Sequence, residues 1–499
     1  MTSIRNLVLA GATALAAAPG AAVTGAAAQA RSDLVIGLRL EPPHLDPTSA
    51  AAGAIDQVLY ANVFEGLTRF RQDGSVGPGL AESWEISQEG TDYTFKLRAG
   101  VRFHDGTELD AGDVKFSLDR ARDENSQNAQ KALFEGIDTV EVLGDLSVRV
   151  TLGAPDGGFL FNMAWGDAVI VAPESIGEIK SEPVGTGAFL FDDWAQGERI
   201  TLVKNPDYWG EAARLDSATF RFIPEPAAGF AAMMDGDIHA FSGYAAPETL
   251  PKFEADPRFQ VLVGSTEGET ILAINNARAP LDDARVRAAI AHAIDRQAVI
   301  DGAMFGLGVP IGTHFAPHHP DYIDLTALSA HDTGRARALL AEAGHAGGFS
   351  TTLKLPPTDY ARRAGEIVAA QLRAVGIKVE ISNLEWAGWL DEVFRGKDFG
   401  LTIVSHTEPL DIGIYARPDY YFQYDSPEFR TLSAALKQTS DPAERSALFK
   451  RMQRRIAREH VNGFLFQMAT VTVARANLRG LWRDAPSQAT DLTGVYWEE

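Results

Sequence analysis

The sequence GVRFHDGTEL at residues 100–109 places His104 beside Asp105, two residue types that together can act as a general base. Such a pair needs the carboxylate to orient one ring nitrogen while the other faces a substrate. Adjacent side chains on a strand point to opposite faces, and Asp-Gly is typical of tight turns. The flanking residues 93–97 and 101–103 read as two short strands. The pattern therefore predicts a turn and not a catalytic dyad.

A second histidine cluster lies in THFAPHHP, where His314, His318 and His319 offer three imidazoles. Metal ligands at four-residue spacing need a continuous helix, and Pro317 interrupts it. The pattern therefore predicts a surface loop without metal ligands. The sequence contains no G-x-S-x-G elbow, no Walker A loop and no H-E-x-x-H pair, and its glycine pairs GTGAF and GLGVPIG read as turns. We expect no enzyme activity and no cofactor.

Residues 1–30 have the features of an export signal: Arg5 supplies a positive charge, an apolar run follows at 7–18, and Ala28-Gln29-Ala30 fits a cleavage site. The chain has no cysteine, so we expect neither disulfides nor a lipid-modified N-terminus. Removing Arg5 with the signal takes the formal net charge from −22 to −23. This acidity disfavours binding to nucleic acid. We expect an exported, unanchored protein.

Helix and strand patterns alternate after residue 270, which indicates an α/β fold. Apolar residues recur at helical spacing in three places: Val286, Ile290 and Ile294; Val368, Leu372 and Val375; Leu448, Met452 and Ile456. Strand-like runs occupy 271–276, 377–381, 399–404 and 464–474. The strand, helix, strand order over 377–404 predicts a parallel pair with a right-handed crossover.

Polar residues follow the strand expected to end at Val404. The next segment reads SHTEPLDIGIYARPDYYF and contains His406, Glu408 and Asp411. Ligands bind beyond the carboxyl ends of strands in open parallel sheets. This segment is the first candidate for a binding site.

Four blocks of the sequence together carry a family resemblance. The first, residues 60–121, runs from YANVFEGLTRF to KFSLDRA and includes the FHDGT turn. The others are PVGTGAFLFDDWAQGERITLVKNPDYWG at 183–210, NNARAPLDDARVRAAIAHAIDR at 275–296, and AAQLRAVGIKVEI at 369–381. In this order they resemble the family 5 extracellular solute-binding proteins, the peptide, dipeptide and nickel receptors of bacterial ABC importers. The resemblance spans nearly all of residues 31–499.

The resemblance implies a two-lobed periplasmic binding protein of the type II kind, with an extra strand-rich subdomain inserted in the first lobe. After a signal peptide at 1–30, lobe I would cover 31–270 and hold the inserted subdomain at about 60–180. Lobe II would cover 271–468, and residues 469–499 would return to lobe I. The strands at 271–276 and 464–473 are the candidate connections between the lobes.

The resemblance also implies site residues, each with an ordinary structural alternative. Glu408 or Asp411 would bind a ligand amine, or be solvated in a loop; HTEPLD differs here from the family's usual Trp- and Gly/Asp-rich pattern. Trp386 and Trp389 would pack on the ligand, or fill the core. The remaining candidates are His406 in the same segment, Arg362 or Arg363 for a ligand carboxylate or as surface arginines, Gly53 for backbone approach, and Trp165 for the cleft or the core.

The implied function is capture of a peptide or peptide-like solute by lobe closure in the periplasm. The partners would be an inner-membrane ABC permease and its cytoplasmic ATPases, with the receptor itself a monomer. Within the family, the alternative ligand is a metal chelate, an opine or a sugar. Outside it, a secreted hydrolase is disfavoured because no nucleophile motif is present.

Overall fold

The structure is a computed structural model that describes residues 31–49 and 52–499. The expected signal segment, residues 1–30, lies outside the described residues. Within the described ranges, no helix combines the length and apolar character that crossing a bilayer requires.

Helices and strands alternate along most of the described chain. The helices are α1 (Gly53–Leu59), α2 (Ala111–Arg122), α3 (Phe159–Asn162), α4 (Pro226–Asp235), α5 (Leu250–Glu254), α6 (Ala284–Ala293), α7 (Arg296–Met304), α8 (Thr333–Glu342), α9 (Asp359–Ala374), α10 (Trp386–Trp389), α11 (Pro427–Gln438) and α12 (Pro442–Arg458). The strands are β1 (Asp33–Leu38), β2 (Thr68–Phe70), β3 (Val76–Pro78), β4 (Ala81–Ile86), β5 (Asp92–Leu97), β6 (Ile137–Gly144), β7 (Ser147–Leu152), β8 (Phe189–Ala195), β9 (Arg199–Lys204), β10 (Ser217–Phe222), β11 (Ala240–Phe241), β12 (Phe259–Ile274), β13 (Gly308–Pro310), β14 (Phe349–Leu355), β15 (Ile377–Asn383), β16 (Leu401–His406), β17 (Gly463–Arg475), β18 (Leu478–Arg479) and β19 (Tyr496–Trp497).

The largest sheet is mixed, with the strand order β15, β14, β16, β12, β17, β11, β1, β10, β9 and β8, and β13 pairs with β17. Helices α6 to α9 pack on the part of it that contains β14 to β16, in a core of aliphatic residues such as Leu272, Val368 and Ile403. The predicted α/β class is confirmed. The predicted lobe boundaries stay a prediction.

The long antiparallel pair β12 and β17 connects the two halves of this sheet. Its register runs from Phe259 opposite Arg475 to Leu272 opposite Gly463, and it is interrupted between Ser265 and Glu269. On one side of the interruption β17 also pairs with β11, and on the other β12 pairs with β16. Residues 266–268 therefore leave the ladder where the two halves of the sheet meet.

A separate four-stranded antiparallel sheet has the order β4, β5, β7, β6. Helix α2 shares its core, and the first turn of this helix is stabilised by a capping box. Asp110 accepts from the amides of Gly112 and Asp113, and the Asp113 carboxylate accepts from Asp110 N. Tyr93, Phe95 and Phe159 form the aromatic centre of the core beneath this sheet.

The strands at 377–381 and 399–404 were predicted to form a parallel pair. Their parallel orientation is confirmed, but the two strands are not neighbours in the sheet. Strands β15 and β16 are both parallel to β14, but β14 lies between them. The prediction did not assign residues 349–355 to a strand, so it placed the flanking strands side by side.

The predicted turn at His104 is confirmed. Thr107 N and Thr107 Oγ1 both donate to Asp105 Oδ1, at 3.0 and 2.6 Å, and Gly106 has a φ of 91°. Burial lowers the pKa of His104 to about 4, and its Nε2 lies 3.0 Å from Gly187 O. The predicted strand at 101–103 is wrong: only Arg102 forms a single bridge, to Glu108, because the turn begins at once.

Candidate functional site

A cavity of about 420 Å³ lies at the interruption in β12. Its walls come from distant parts of the chain: residues near 52–60, 165–167, 242–243 and 266–268, then Thr407, Pro409 and residues 485–489. Because both halves of the largest sheet contribute, any movement between them changes the shape of this cavity.

A wider depression of about 690 Å³ lies over α2, around Lys115, Asp119 and Arg120. Its charged groups already have partners, since Lys115 Nζ lies 2.6 Å from Asp119 Oδ2 and Arg120 Nη1 donates to Thr48 Oγ1 at 2.5 Å. The cavity at β12 offers more unpaired polar groups and is the better candidate.

Asp56 is the most unusual group in the cavity wall. Helix α1 buries Ile55, Val58 and Leu59 in the core, which leaves Asp56 directed toward Gly166, so close that a Cβ on this glycine would lie 2.3 Å from Asp56 Oδ1. Its carboxylate has neither a hydrogen bond nor an ion pair among the described residues. Burial, and then the charge of Asp167, raise the pKa of Asp56 to about 8.

The turn at 166–168 brings further unsatisfied groups to the same wall. Asp167 Oδ1 and the indole Nε1 of Trp165 are buried and have no hydrogen-bond partner in the described structure. Burial raises the pKa of Asp167 to about 7. Buried polar groups are normally paired, so a donor and acceptors without partners indicate a place where a ligand binds.

Glu267 supplies a third carboxylate from the interruption in β12. Its Oε1 lies 2.7 Å from His318 Nε2, and His318 Nδ1 lies 2.8 Å from Ser265 Oγ. Among the described residues that line the cavity, three are acidic and none is lysine or arginine. The cavity is therefore suited to a ligand that carries positive charge.

The prediction of a surface loop for the histidine cluster is wrong. The His314 and His318 side chains are 1% and 2% exposed, and His319 is mostly buried. Segments distant in sequence lie against these rings. His314 Nε2 is 2.7 Å from Asp411 Oδ1, and His318 Nε2 is 2.7 Å from Glu267 Oε1.

Of the predicted site residues, Gly53 and Trp165 line the cavity. In the segment after β16 the lining residues are Thr407 and Pro409, whereas Glu408 is exposed and its Oε2 accepts from Thr407 N at 3.2 Å. That strand continues to His406, two residues further than predicted.

The remaining predicted residues lie outside the cavity lining. His406 and Asp411 are buried against each other, with 3.3 Å between His406 Nδ1 and Asp411 Oδ2. Trp389 is buried and donates to Thr402 Oγ1 at 3.0 Å, while Trp386 is 45% exposed.

Both candidate arginines also lie outside it. Arg362 is partly exposed, with its Nη2 3.4 Å from Glu385 Oε1, and the Arg363 guanidinium lies 5.0 Å from the centre of the Phe305 ring.

The sequence reading missed Asp56, Asp167, Glu267 and the buried Glu269. Glu269 had a detectable signal, because it is a charged residue at the start of the apolar run TILAI and such residues are rarely buried without a role. Asp56 and Asp167 had none, since each lies in an ordinary short polar stretch.

The raised pKa of Asp56 predicts a pH dependence of stability. The folded protein holds this proton up to about pH 8, whereas the unfolded chain releases it near pH 4, so the free energy of unfolding falls as pH rises between those values. Asp56→Asn removes this loss. We expect the variant to gain about 1–3 kcal/mol over wild type at pH 8 relative to pH 5, less than the full shift because Asp56 is partly exposed.

Urea unfolding of both proteins at pH 5 and pH 8 measures that difference. Comparing the variant with wild type cancels the contribution of the buried histidines to the pH dependence, because both proteins contain them. Equal pH profiles for the two proteins would contradict the assignment.

The sequence profile of the bacterial extracellular solute-binding proteins, family 5 middle region, matches residues 75–424. The glutathione-binding protein GsiB of Pectobacterium atrosepticum is 30% identical over 466 residues, covering 89% of this chain and 90% of that protein. The heme-binding protein A of Haemophilus influenzae is 30% identical over 393 residues, covering 71% of each.

Among solved structures, the periplasmic binding protein DppA of Helicobacter pylori in complex with the peptide STSA superimposes with a TM-score of 0.70. It is 26% identical, and the match covers 94% of this chain and 99% of that one. HbpA2 of Haemophilus parasuis superimposes with a TM-score of 0.85 over 94% of this chain and 100% of that one. At 23% identity, this second match concerns the fold alone.

Proposed function

This chain belongs to the bacterial extracellular solute-binding proteins of family 5, and from that membership we propose that it captures a small solute bearing an ammonium group. The solute belongs to the peptide or peptide-like class, and an inner-membrane ABC permease with its ATPases receives it. The receptor works without covalent chemistry, as a periplasmic monomer exported by residues 1–30 and without a lipid anchor.

The observation that carries this proposal is the charge of the cavity wall. Asp56, Asp167 and Glu267 line one enclosed space, and no lysine or arginine among the described residues lines it with them. An ammonium group placed there favours the ionised forms of Asp56 and Asp167, whose pKa values burial raises to about 8 and 7, and the ionised carboxylates then stabilise the ammonium group in a medium of low dielectric constant. It also removes the repulsion between Asp56 and Asp167 that contributes to the raised pKa of Asp56.

The same wall disfavours heme, the ligand named for one relative, because its two propionates would find no lysine or arginine among the described lining residues to pair with. An anionic metal chelate has the same disadvantage. Glutathione, named for another relative, carries an ammonium group beside its two carboxylates, so the wall does not exclude it.

A matched pair of ligands tests the proposal. Alanine tripeptide amide carries one ammonium group, and its N-acetylated form differs by having none. We expect the free amine to bind at least about 10-fold more tightly in calorimetric titrations, because the acetylated end leaves the buried carboxylates without a partner.

The natural solute is identified separately, by native mass spectrometry of the protein purified from its own host. We expect the released molecules to be short peptides or other amines. A single sugar, opine or metal chelate, together with equal affinity for the two synthetic peptides, would contradict the proposal.

A further inference from the structure

Three side chains that are not part of the cavity lining converge behind it. His314 Nε2 lies 2.7 Å from Asp411 Oδ1, and His406 Nδ1 lies 3.3 Å from Asp411 Oδ2. Each of the three residues offers one ligand atom, and these three atoms lie within 4.8 Å of one another. The two histidine side chains are buried, at 1% and 8% exposure, and Asp411 is mostly buried, at 13%.

Two buried tyrosines orient the outer nitrogens of these imidazoles. His314 Nδ1 lies 3.3 Å from Tyr415 OH, and His406 Nε2 lies 3.1 Å from Tyr421 OH. Tyr415 OH in turn accepts from Asn462 Nδ2 at 3.0 Å. A hydroxyl can accept as well as donate, so each histidine can direct a lone pair toward Asp411. Outer partners of this kind fix the ring orientation of metal-binding histidines.

A fourth group is available on the neighbouring strand. Glu269 of β12 lies directly opposite His406 of β16, and directly opposed residues of an antiparallel pair project from the same face. Glu269 is 3% exposed, and its Oε2 has no hydrogen-bond partner in the described structure. This buried acceptor without a partner is independent of the bonds among the other three residues.

The charge of this cluster is not balanced by any cationic side chain. Within the described ranges, Asp411 pairs with the two histidines only, and Glu269 forms no ion pair. Burial and the neighbouring Asp411 raise the pKa of Glu269 well above its ordinary value. A divalent cation would satisfy both carboxylates and accept a lone pair from each imidazole.

We propose that His314, His406 and Asp411, with Glu269 as the fourth ligand, bind one divalent transition-metal ion of the Zn²⁺ class. Two imidazoles and two carboxylates are a donor set that Zn²⁺ and Co²⁺ accept in tetrahedral geometry, and that Mg²⁺ and Ca²⁺ do not prefer. The ligand atoms of His314, His406 and Asp411 already lie within 4.8 Å of one another, and the Glu269 carboxylate completes the set by rotating toward them from the neighbouring strand.

The position of the site gives the ion a structural consequence. Glu269 lies two residues after Glu267 at the interruption in β12, and Asp411 lies two residues after Pro409, so both ligands adjoin residues of the cavity wall. The ion would hold the segment after β16 against β12. It does not enter the cavity, so metal binding does not depend on the identity of the solute.

The test uses the full-length protein, treated with a chelator and dialysed, then titrated with Co²⁺ alone and with Zn²⁺ alone. We expect one ion per chain by native mass spectrometry, visible Co²⁺ absorption of tetrahedral intensity, and a Zn²⁺-dependent rise in melting temperature. His406→Gln should lower the Zn²⁺ affinity by about 100-fold or more and abolish the Co²⁺ spectrum. Glu269→Gln should weaken binding by about 10-fold or more and change the spectrum.

The matched control is His331→Gln, which removes a histidine whose side chain is 42% exposed. It should keep wild-type metal binding. The proposal is overturned if wild-type protein binds no stoichiometric Co²⁺ or Zn²⁺, or if His406→Gln, folded by circular dichroism, binds as tightly as wild type. A weak six-coordinate Co²⁺ spectrum in wild type would also overturn it, and none of these readouts requires the solute.

Discussion

Asp56→Asn should weaken binding of alanine tripeptide amide by about 10- to 100-fold while leaving the fold intact. An ammonium group next to Asp56 displaces the proton that this carboxyl holds at pH 7 in the free protein and pairs with the carboxylate, whereas asparagine keeps the shape and cannot supply the charge. Losing one partner of a buried charge pair costs several kcal/mol in dry interfaces, and water in the cavity reduces this. Isothermal titration at pH 7 measures the change.

The acetylated peptide makes this test specific. In wild type the free and acetylated peptides should differ strongly, and in Asp56→Asn the difference should shrink, which gives a coupling energy for the ammonium group with Asp56. Asp192→Asn is the matched control, because Asp192 is an exposed aspartate of β8 with no ion pair in the described structure. A coupling energy near zero would remove Asp56 from the site, even if the protein still binds amines through Asp167 or Glu267.

Gly185→Ala should destabilise the protein by about 2–4 kcal/mol. A Cβ at this position would lie 2.0 Å from Val63 O and 2.7 Å from Val63 C. These are backbone atoms, and Val63 O already accepts from Gly187 N at 2.9 Å, so the neighbour cannot move without breaking that bond. Overpacking of this kind costs a few kcal/mol.

The midpoint of urea unfolding reports the loss, and Gly153→Ala provides the matched control. A Cβ at Gly153 has no atom within 4 Å, and its backbone φ is not in the left-handed region. That variant should be neutral or slightly more stable, because alanine restricts the unfolded chain. If the two variants unfold at the same urea concentration, the close approach of Gly185 to Val63 is wrong.

Local chemistry was enough to predict several elements. Asp441 and Pro442 are residue types typical of a helix start, and α12 begins at Pro442 with Asp441 accepting from Glu444 N at 2.8 Å. Residues 464–474 were predicted as a strand and lie within β17. The reason is that capping, turn formation and apolar periodicity each depend on residues only a few positions apart.

Strand β12 marks where local patterns stop being informative. The prediction began at Ile271, whereas the strand begins at Phe259, because the polar run STEGET interrupts any alternation. Pairing with β17 keeps most of this run extended. The interruption in the ladder at 266–268, which contributes part of the cavity wall, follows from the register of two strands and has no sequence pattern of its own.

Local patterns and sequence blocks were sufficient to predict the α/β class, the turn at His104 and the family to which the chain belongs. Which polar groups meet depends on the three-dimensional fold: Asp56 with Gly166 and Asp167, and His314 with Asp411, 97 residues apart. A local pattern specifies which face of an element is buried, but not which distant element covers it. The partner of a buried charge depends on the packing of whole helices and strands, and so the histidines predicted on a surface loop became the centre of a buried cluster.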